Sequence, residues 1–110
     1  MSYHVNLTEQ ADLDLRGIYE YYAFTRFEPR LGKKIKQRII EKLYSLNEMP
    51  HRYPAYQEEP WKSLGLRQVF AGSYCGLYFI NEDIVQVIRI LYGGMDINAA
   101  LSETEFSEID

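Results

Sequence analysis

The chain has 110 residues, 46% hydrophobic and 25% charged, which is enough for one hydrophobic core and too few for two. Cys75 is the only cysteine, so an intramolecular disulfide is excluded, and His4 and His51 lack companions at zinc-ligand spacing. A formal net charge of −4 argues against a generic nucleic-acid binder.

Tyr3-His4-Val5-Asn6-Leu7 alternates apolar and polar residues, which predicts a half-buried strand. The segment is too short, and lacks a basic flank, to be a signal sequence. Thr8 offers a helix N-cap and Glu9 an acid for the first turn. Ala11, Leu15, Ile18, Tyr19 and Tyr22 recur at helical spacing and predict a helix from about residue 9 to about residue 25. Asp12, Asp14 and Glu20 fall off that face and read as solvated charges, not as a catalytic carboxylate pair. Pro29 suits the first turn of a second helix, whose apolar face is Leu31, Ile35, Ile39, Leu43 and Leu46. Pro50 closes it. Arg26 to Lys42 holds seven basic residues against Glu28 and Glu41, so this helix carries a basic stripe. The stripe is either a solvated face or a surface for an anionic partner.

Pro50, Pro54 and Pro60 mark His51 to Gly65 as an irregular crossing. Tyr53, Tyr56 and Trp61 within it can anchor the loop or stack bases, and anchoring is the simpler role. Leu66 to Ala71, Tyr74 to Ile80 and Ile84 to Tyr92 are strands by composition, with turns at Gly72-Ser73 and Asn81-Glu82-Asp83. The third is apolar on both faces, as the most buried strand of a sheet should be. Gly93-Gly94 ends it, and Asp96 can cap a short helix through Ala99, Ala100 and Leu101. Glu103, Glu105, Glu108 and Asp110 make 103–110 an acidic tail, while residues 1–102 balance at twelve basic and twelve acidic as one domain. The predicted class is α+β, ordered β-α-α-β-β-β with a short C-terminal helix. A helical hairpin packs on one face of a mostly antiparallel four-stranded sheet whose strand order stays open. No run is long enough to span a bilayer, and the lone cysteine suits a reducing, cytoplasmic setting.

Most catalytic signatures are absent: there is no phosphate loop, nucleophile elbow or metal motif, and no cofactor is expected. Arg67 shares its strand phase with Val69 and Ala71, and Arg89 shares its phase with Val85, Val87 and Leu91. A cation in an apolar phase needs an acidic partner, an exit to solvent, or an anionic ligand. Cys75, with no neighbouring His or Lys, reads as a small apolar filler.

Taken in order, these pieces resemble the RelE/ParE superfamily, the toxins of bacterial type II toxin–antitoxin modules. Tyr3-His4-Val5-Asn6-Leu7-Thr8-Glu9-Gln10-Ala11-Asp12-Leu13 is similar to the family's opening strand and helix. Ile18-Tyr19-Glu20-Tyr21-Tyr22, Leu43 to Pro50, Leu66-Arg67, Gly72 to Tyr78 and Val87 to Asp96 follow at matching spacing, so the likeness covers residues 3–102. Ribonuclease members cut ribosome-bound mRNA with basic and aromatic side chains on the sheet. The resemblance places their hairpin arginine at Cys75, their last-strand arginine near Met95 and their C-terminal tyrosine near Leu101. Leu66 and Gln68 stand near their lysine pair. A nuclease would have to work with Arg67, Arg89 and Tyr74. ParE-type members lack the catalytic set, and the Tyr92-Gly93-Gly94-Met95-Asp96 exit is similar to theirs. That branch implies plasmid stabilisation and a toxin that binds DNA gyrase, with no active site of its own. It also implies a cognate antitoxin whose disordered, acidic tail wraps the toxin and through which alone the toxin meets DNA. Arg30, Lys33, Lys34, Arg38 and Lys62 are the candidate partner-binding residues. A ribosome-dependent endonuclease acting on mRNA, and a degenerate module that only binds its antitoxin, are the alternatives.

Overall fold

The computed structural model describes residues 2–104, so Glu105, Glu108 and Asp110 of the acidic tail lie outside the described residues. Strand β1 (His4–Leu7) buries Val5 between exposed His4 and Asn6, as its alternation predicts. Thr8 leaves the strand and caps helix α1 (Glu9–Glu20), its hydroxyl accepting from the Ala11 N–H at 3.1 Å. The helix runs on as a wider π turn over Tyr21–Thr25, so the helical stretch ends where the sequence predicts. Pro29 opens helix α2 (Pro29–Tyr44). This helix stops short of Pro50, because the chain tightens into a 3-10 turn at Ser45–Asn47 and the Ser45 hydroxyl donates to the Lys42 carbonyl at 2.6 Å. The crossing is irregular except for one turn of helix, α3 (Trp61–Leu64), which the prolines do not foretell. Buried Trp61 pins that turn to the sheet, and the Glu59 carboxylate accepts from the Ser63 N–H and hydroxyl at 2.9 and 2.7 Å.

Strands β2 (Arg67–Ala71), β3 (Tyr74–Asn81) and β4 (Ile84–Tyr92) form consecutive hairpins, and the sheet order is β1-β4-β3-β2. β1 runs parallel to β4 and the other pairs are antiparallel, so the sheet is mixed. Helix α4 (Ile97–Ser102) starts at Asp96, whose carboxylate accepts from the Ala99 N–H at 3.1 Å. No helix among the described residues is long and apolar enough to cross a membrane.

Both faces of the sheet are covered. Helices α1 and α2 bury Ala11, Leu15, Ile39 and Leu43, and the 3-10 turn after them buries Leu46, against Val69, Tyr78, Val85, Val87 and Ile90. Gly76 permits this approach: a Cβ there would stand 2.6 Å from the Leu43 Cδ2. On the far face, Tyr56, Trp61, Leu66, Ala100 and Leu101 cover Cys75, Leu77, Ile88 and Leu91.

The strand phase changes within β4. Tyr78 pairs with Val87 but Leu77 pairs with Arg89, leaving Ile88 as the extra residue of a bulge. Val85 and Val87 therefore point to the helices, whereas Ile88 and Leu91 join the far cluster. The single phase expected for Arg89 with Val85, Val87 and Leu91 does not exist. The bulge also falls where β1 stops pairing, at Leu7 opposite Val87. Beyond it, side chains of α1 serve the open edge. The Thr8 hydroxyl donates to the Ile88 carbonyl at 3.2 Å, and the Asp14 carboxylate accepts from the Ile90 N–H at 2.9 Å.

Asp14 is thus not the solvated charge its sequence position suggests. Arg89 grips it with Nε and Nη2 at 2.8 and 3.0 Å, and the two side chains are 15% and 9% exposed. The remaining Arg89 nitrogen reaches the Thr104 hydroxyl at 3.1 Å and the Ala100 carbonyl at 3.4 Å, tying α4 to the same clamp. Asp14→Ala should therefore cost about 3–5 kcal/mol of unfolding free energy in urea, since it leaves Arg89 unpaired in a nearly dry site. Asp14→Asn, which keeps an acceptor for Ile90, should cost less, and Arg30→Ala at the surface within about 0.5 kcal/mol. Equal midpoints for the three variants would contradict the clamp.

Candidate functional site

The residues left for a nuclease, Arg67, Arg89 and Tyr74, are held apart and already engaged. Arg67 donates to the carbonyls of Tyr53 and His51 at 2.6 and 3.2 Å, fastening the crossing to the start of β2. Arg89 is the clamp on the Asp14 carboxylate. The Tyr74 hydroxyl bonds that of Tyr22 at 3.2 Å on the helix side, and burial pushes its phenol above the ordinary value. Arg67 stands opposite Tyr78 whereas Tyr74 stands opposite Ala71, four rungs away, or about 13 Å at strand rise.

The positions that the family resemblance assigns to nuclease chemistry lie mostly in the core. Cys75 and Leu101 have no exposed surface, Leu66 is buried, Gln68 is half-buried on β2 and Met95 is open. Tyr56 and Trp61 are buried edge to face, 6.2 Å apart, and Tyr56 is also bonded to Asn98. They anchor the crossing and present no free face to a base. Desolvation pushes the Cys75 thiol up to about 12 and the Tyr78 phenol, bonded to the Pro50 carbonyl, also up to about 12. Among the described residues no three potential metal ligands converge.

The cations are distributed differently from the sequence grouping. Arg30, Lys33, Lys34 and Arg38 are exposed along α2 and meet no carboxylate within ion-pair distance among the described residues. Lys62 sits on α3, in the layer on the other side of the sheet, so the five do not form one patch. Arg38 instead belongs with Lys42 and Arg52 around a groove of about 520 Å³ between α2 and the outer edge of β2, with Glu41 its one acid. Lys42 and Arg52 lie over the Tyr53 ring at 5.3 and 4.8 Å, and Arg52 donates to its hydroxyl at 3.2 Å. Hydrogen bonding from Arg52, then Lys42, holds that phenol below its usual value. Lys42 was legible four residues after Arg38. Arg52 was not, because only the folded crossing brings it to the helix.

The buried Cys75 gives the sheet a pH signature. Above pH 9, the ordinary value for a thiol here, the unfolded chain loses a proton that the native state keeps until about 12. The native state then binds more protons, so stability must fall as pH rises through this window. Urea midpoints measured from pH 7 to pH 11 should hold level and then decline above about pH 9. Cys75→Ala should shallow the decline, and an unchanged profile would contradict the desolvation.

Residues 5–97 match the sequence model of the ParE toxin of type II toxin–antitoxin system, parDE. No curated protein sequence matches the chain. The chromosomal ParDE system of P. aeruginosa is similar in structure, with 21% identity and a TM-score of 0.69, over 83% of this chain and 96% of that one. The RelBE2 toxin–antitoxin complex of Mycobacterium tuberculosis follows, with 22% identity and a TM-score of 0.60, over 84% and 99%. A mutant of the E. coli toxin RelE in its free state has 18% identity and a TM-score of 0.63, over 94% and 95%. The structural likenesses show a shared fold, and the sequence model spans most of the chain. The chain belongs to the ParE toxin family and is the toxin of a type II toxin–antitoxin system, within the RelE/ParE superfamily.

Proposed function

We propose that this toxin stops growth by binding DNA gyrase and impeding replication, and that it cuts no RNA. The observation that carries the proposal is the far face of the sheet. Where the resemblance expects basic and aromatic catalytic groups, Cys75 and Leu101 are sealed in an apolar cluster. RNA cleavage needs a base for the 2′-hydroxyl, a cation for the transition state and an acid for the leaving oxygen. Arg67 and Arg89, the arginines nearest to such a role, are committed to backbone carbonyls and to Asp14. The free cations lie on α2, where they suit contact with a larger partner. The toxin acts in the cytoplasm and plays no part at a membrane. A cognate antitoxin neutralises it and carries whatever contact with DNA the pair makes.

The test uses purified protein in two assays, ATP-dependent supercoiling by gyrase and mRNA cleavage on programmed ribosomes. Supercoiling should fall with added toxin while the message stays intact. Arg30→Glu/Lys33→Glu/Lys34→Glu should raise the concentration for half-inhibition at least tenfold, roughly 1.4 kcal/mol of binding, at unchanged thermal stability. Cut messages with supercoiling untouched would overturn the proposal.

A further inference from the structure

The outer edge of β2 is half used. Ala71 and Tyr74 close the two-residue turn Gly72-Ser73, with Gly72 at φ +61°, and the residues flanking such a turn bond to each other. Alternate residues of β2 must then turn their N–H and C=O groups outward. The crossing takes the first of them: the Tyr56 N–H donates to the Leu66 carbonyl at 2.8 Å, and the Gln68 N–H donates to the Pro54 carbonyl at 3.2 Å. Phe70 is next in phase, and no described segment pairs with it on that side. Its side chain is 51% exposed.

This open rung borders the groove of Arg38, Lys42 and Arg52. A Cβ on Gly72 would lie 3.8 Å from an Arg38 guanidinium nitrogen, so Arg38 stands beside the turn that ends the edge. None of the three cations meets a carboxylate within ion-pair distance among the described residues. Side chains alternate across a strand, so Val69 and Ala71 face the helices while Phe70 faces the other way. A strand added here would inherit that alternation.

We propose that the edge of β2 at Phe70 takes one extended segment of a protein partner by strand addition. In that segment acidic residues at every second position meet Arg38, Lys42 and Arg52, and apolar residues between them cover Phe70. The proposal rests on the antitoxin as partner and specifies where and in what conformation one stretch of such a partner would lie. A nucleic acid is less suited, because phosphates would use the cations and leave the outward Phe70 backbone unpaired.

The test titrates full-length protein against a labelled synthetic peptide in which Glu alternates with Val. Two controls are a peptide of the same composition with its acids at one end, and a single-stranded oligonucleotide of equal charge. The alternating peptide should bind at least tenfold more tightly than either control. It should slow amide exchange at Phe70 at least tenfold, a change that charge attraction alone does not produce. Arg38→Glu/Arg52→Glu should weaken binding at least tenfold. Phe70→Pro, which removes the outward N–H together with the ring, should weaken binding more than Phe70→Ala, which removes the ring alone, in proteins that still melt cooperatively. Should Phe70→Pro misfold, exchange at Phe70 in the unaltered protein decides. Equal binding of either control, unprotected Phe70, or an edge closed by a second copy of the chain in sedimentation would overturn the proposal. Such a failure in protein that still inhibits gyrase would leave the proposed function standing.

Discussion

The fold turns on one extra residue. At Ile88 strand β4 gains a position that β3 does not match, and the faces of the sheet exchange partners there. Before it, valines feed the helix-side core; after it, Leu91 turns to the far cluster and Ile90 back to the helices. On its other side β4 outruns β1, which ends at Leu7, and α1 serves the backbone groups left without a ladder. Thr8 serves Ile88 and Asp14 serves Ile90, with Arg89 neutralising the acid that does so. The clamp therefore joins the first helix, the central strand and the last helix in a single set of hydrogen bonds. Its geometry also decides what Arg89 is for: two of its nitrogens are committed to one carboxylate.

That arrangement bears directly on function. A catalytic cleft needs polar groups that converge on open space, and the far face instead holds a packed apolar layer. Among the described residues, cations along α2, the groove beside Arg38 and one open rung of β2 are left without a carboxylate or strand partner. In the proposed function these features are the contacts to large partners. They suit a toxin whose effect comes from occupying a target and whose control comes from a protein that covers it.

Much of this was legible in the residue order, where the physics is local. Thr8, Pro29 and Asp96 announce helix starts because capping acts across three residues, and Gly72-Ser73 announces a hairpin because its turn needs a positive φ. The amphipathic rhythm of α2 finds buried Ile39 and Leu43 and half-buried Ile35, but Leu31, in the first turn of the helix, is exposed. The failures have a common cause. Asp14 looked solvated because its partner lies 75 positions away, and Arg89 looked in phase with Val87 because a bulge shows only against the paired strand. Arg52 joined the cationic groove only through the path of the crossing. The family resemblance supplied what periodicity could not, namely the toxin assignment, and the burial of Cys75 and Leu101 gives its missing catalytic groups a structural meaning.

The most direct measurement induces the chain alone in bacteria and follows DNA and protein synthesis separately by pulse labelling as growth stops. A toxin that occupies gyrase should halt DNA synthesis first, with cells elongating into filaments while translation continues. Early loss of translation with cleaved messages, or no arrest at all, would contradict the account.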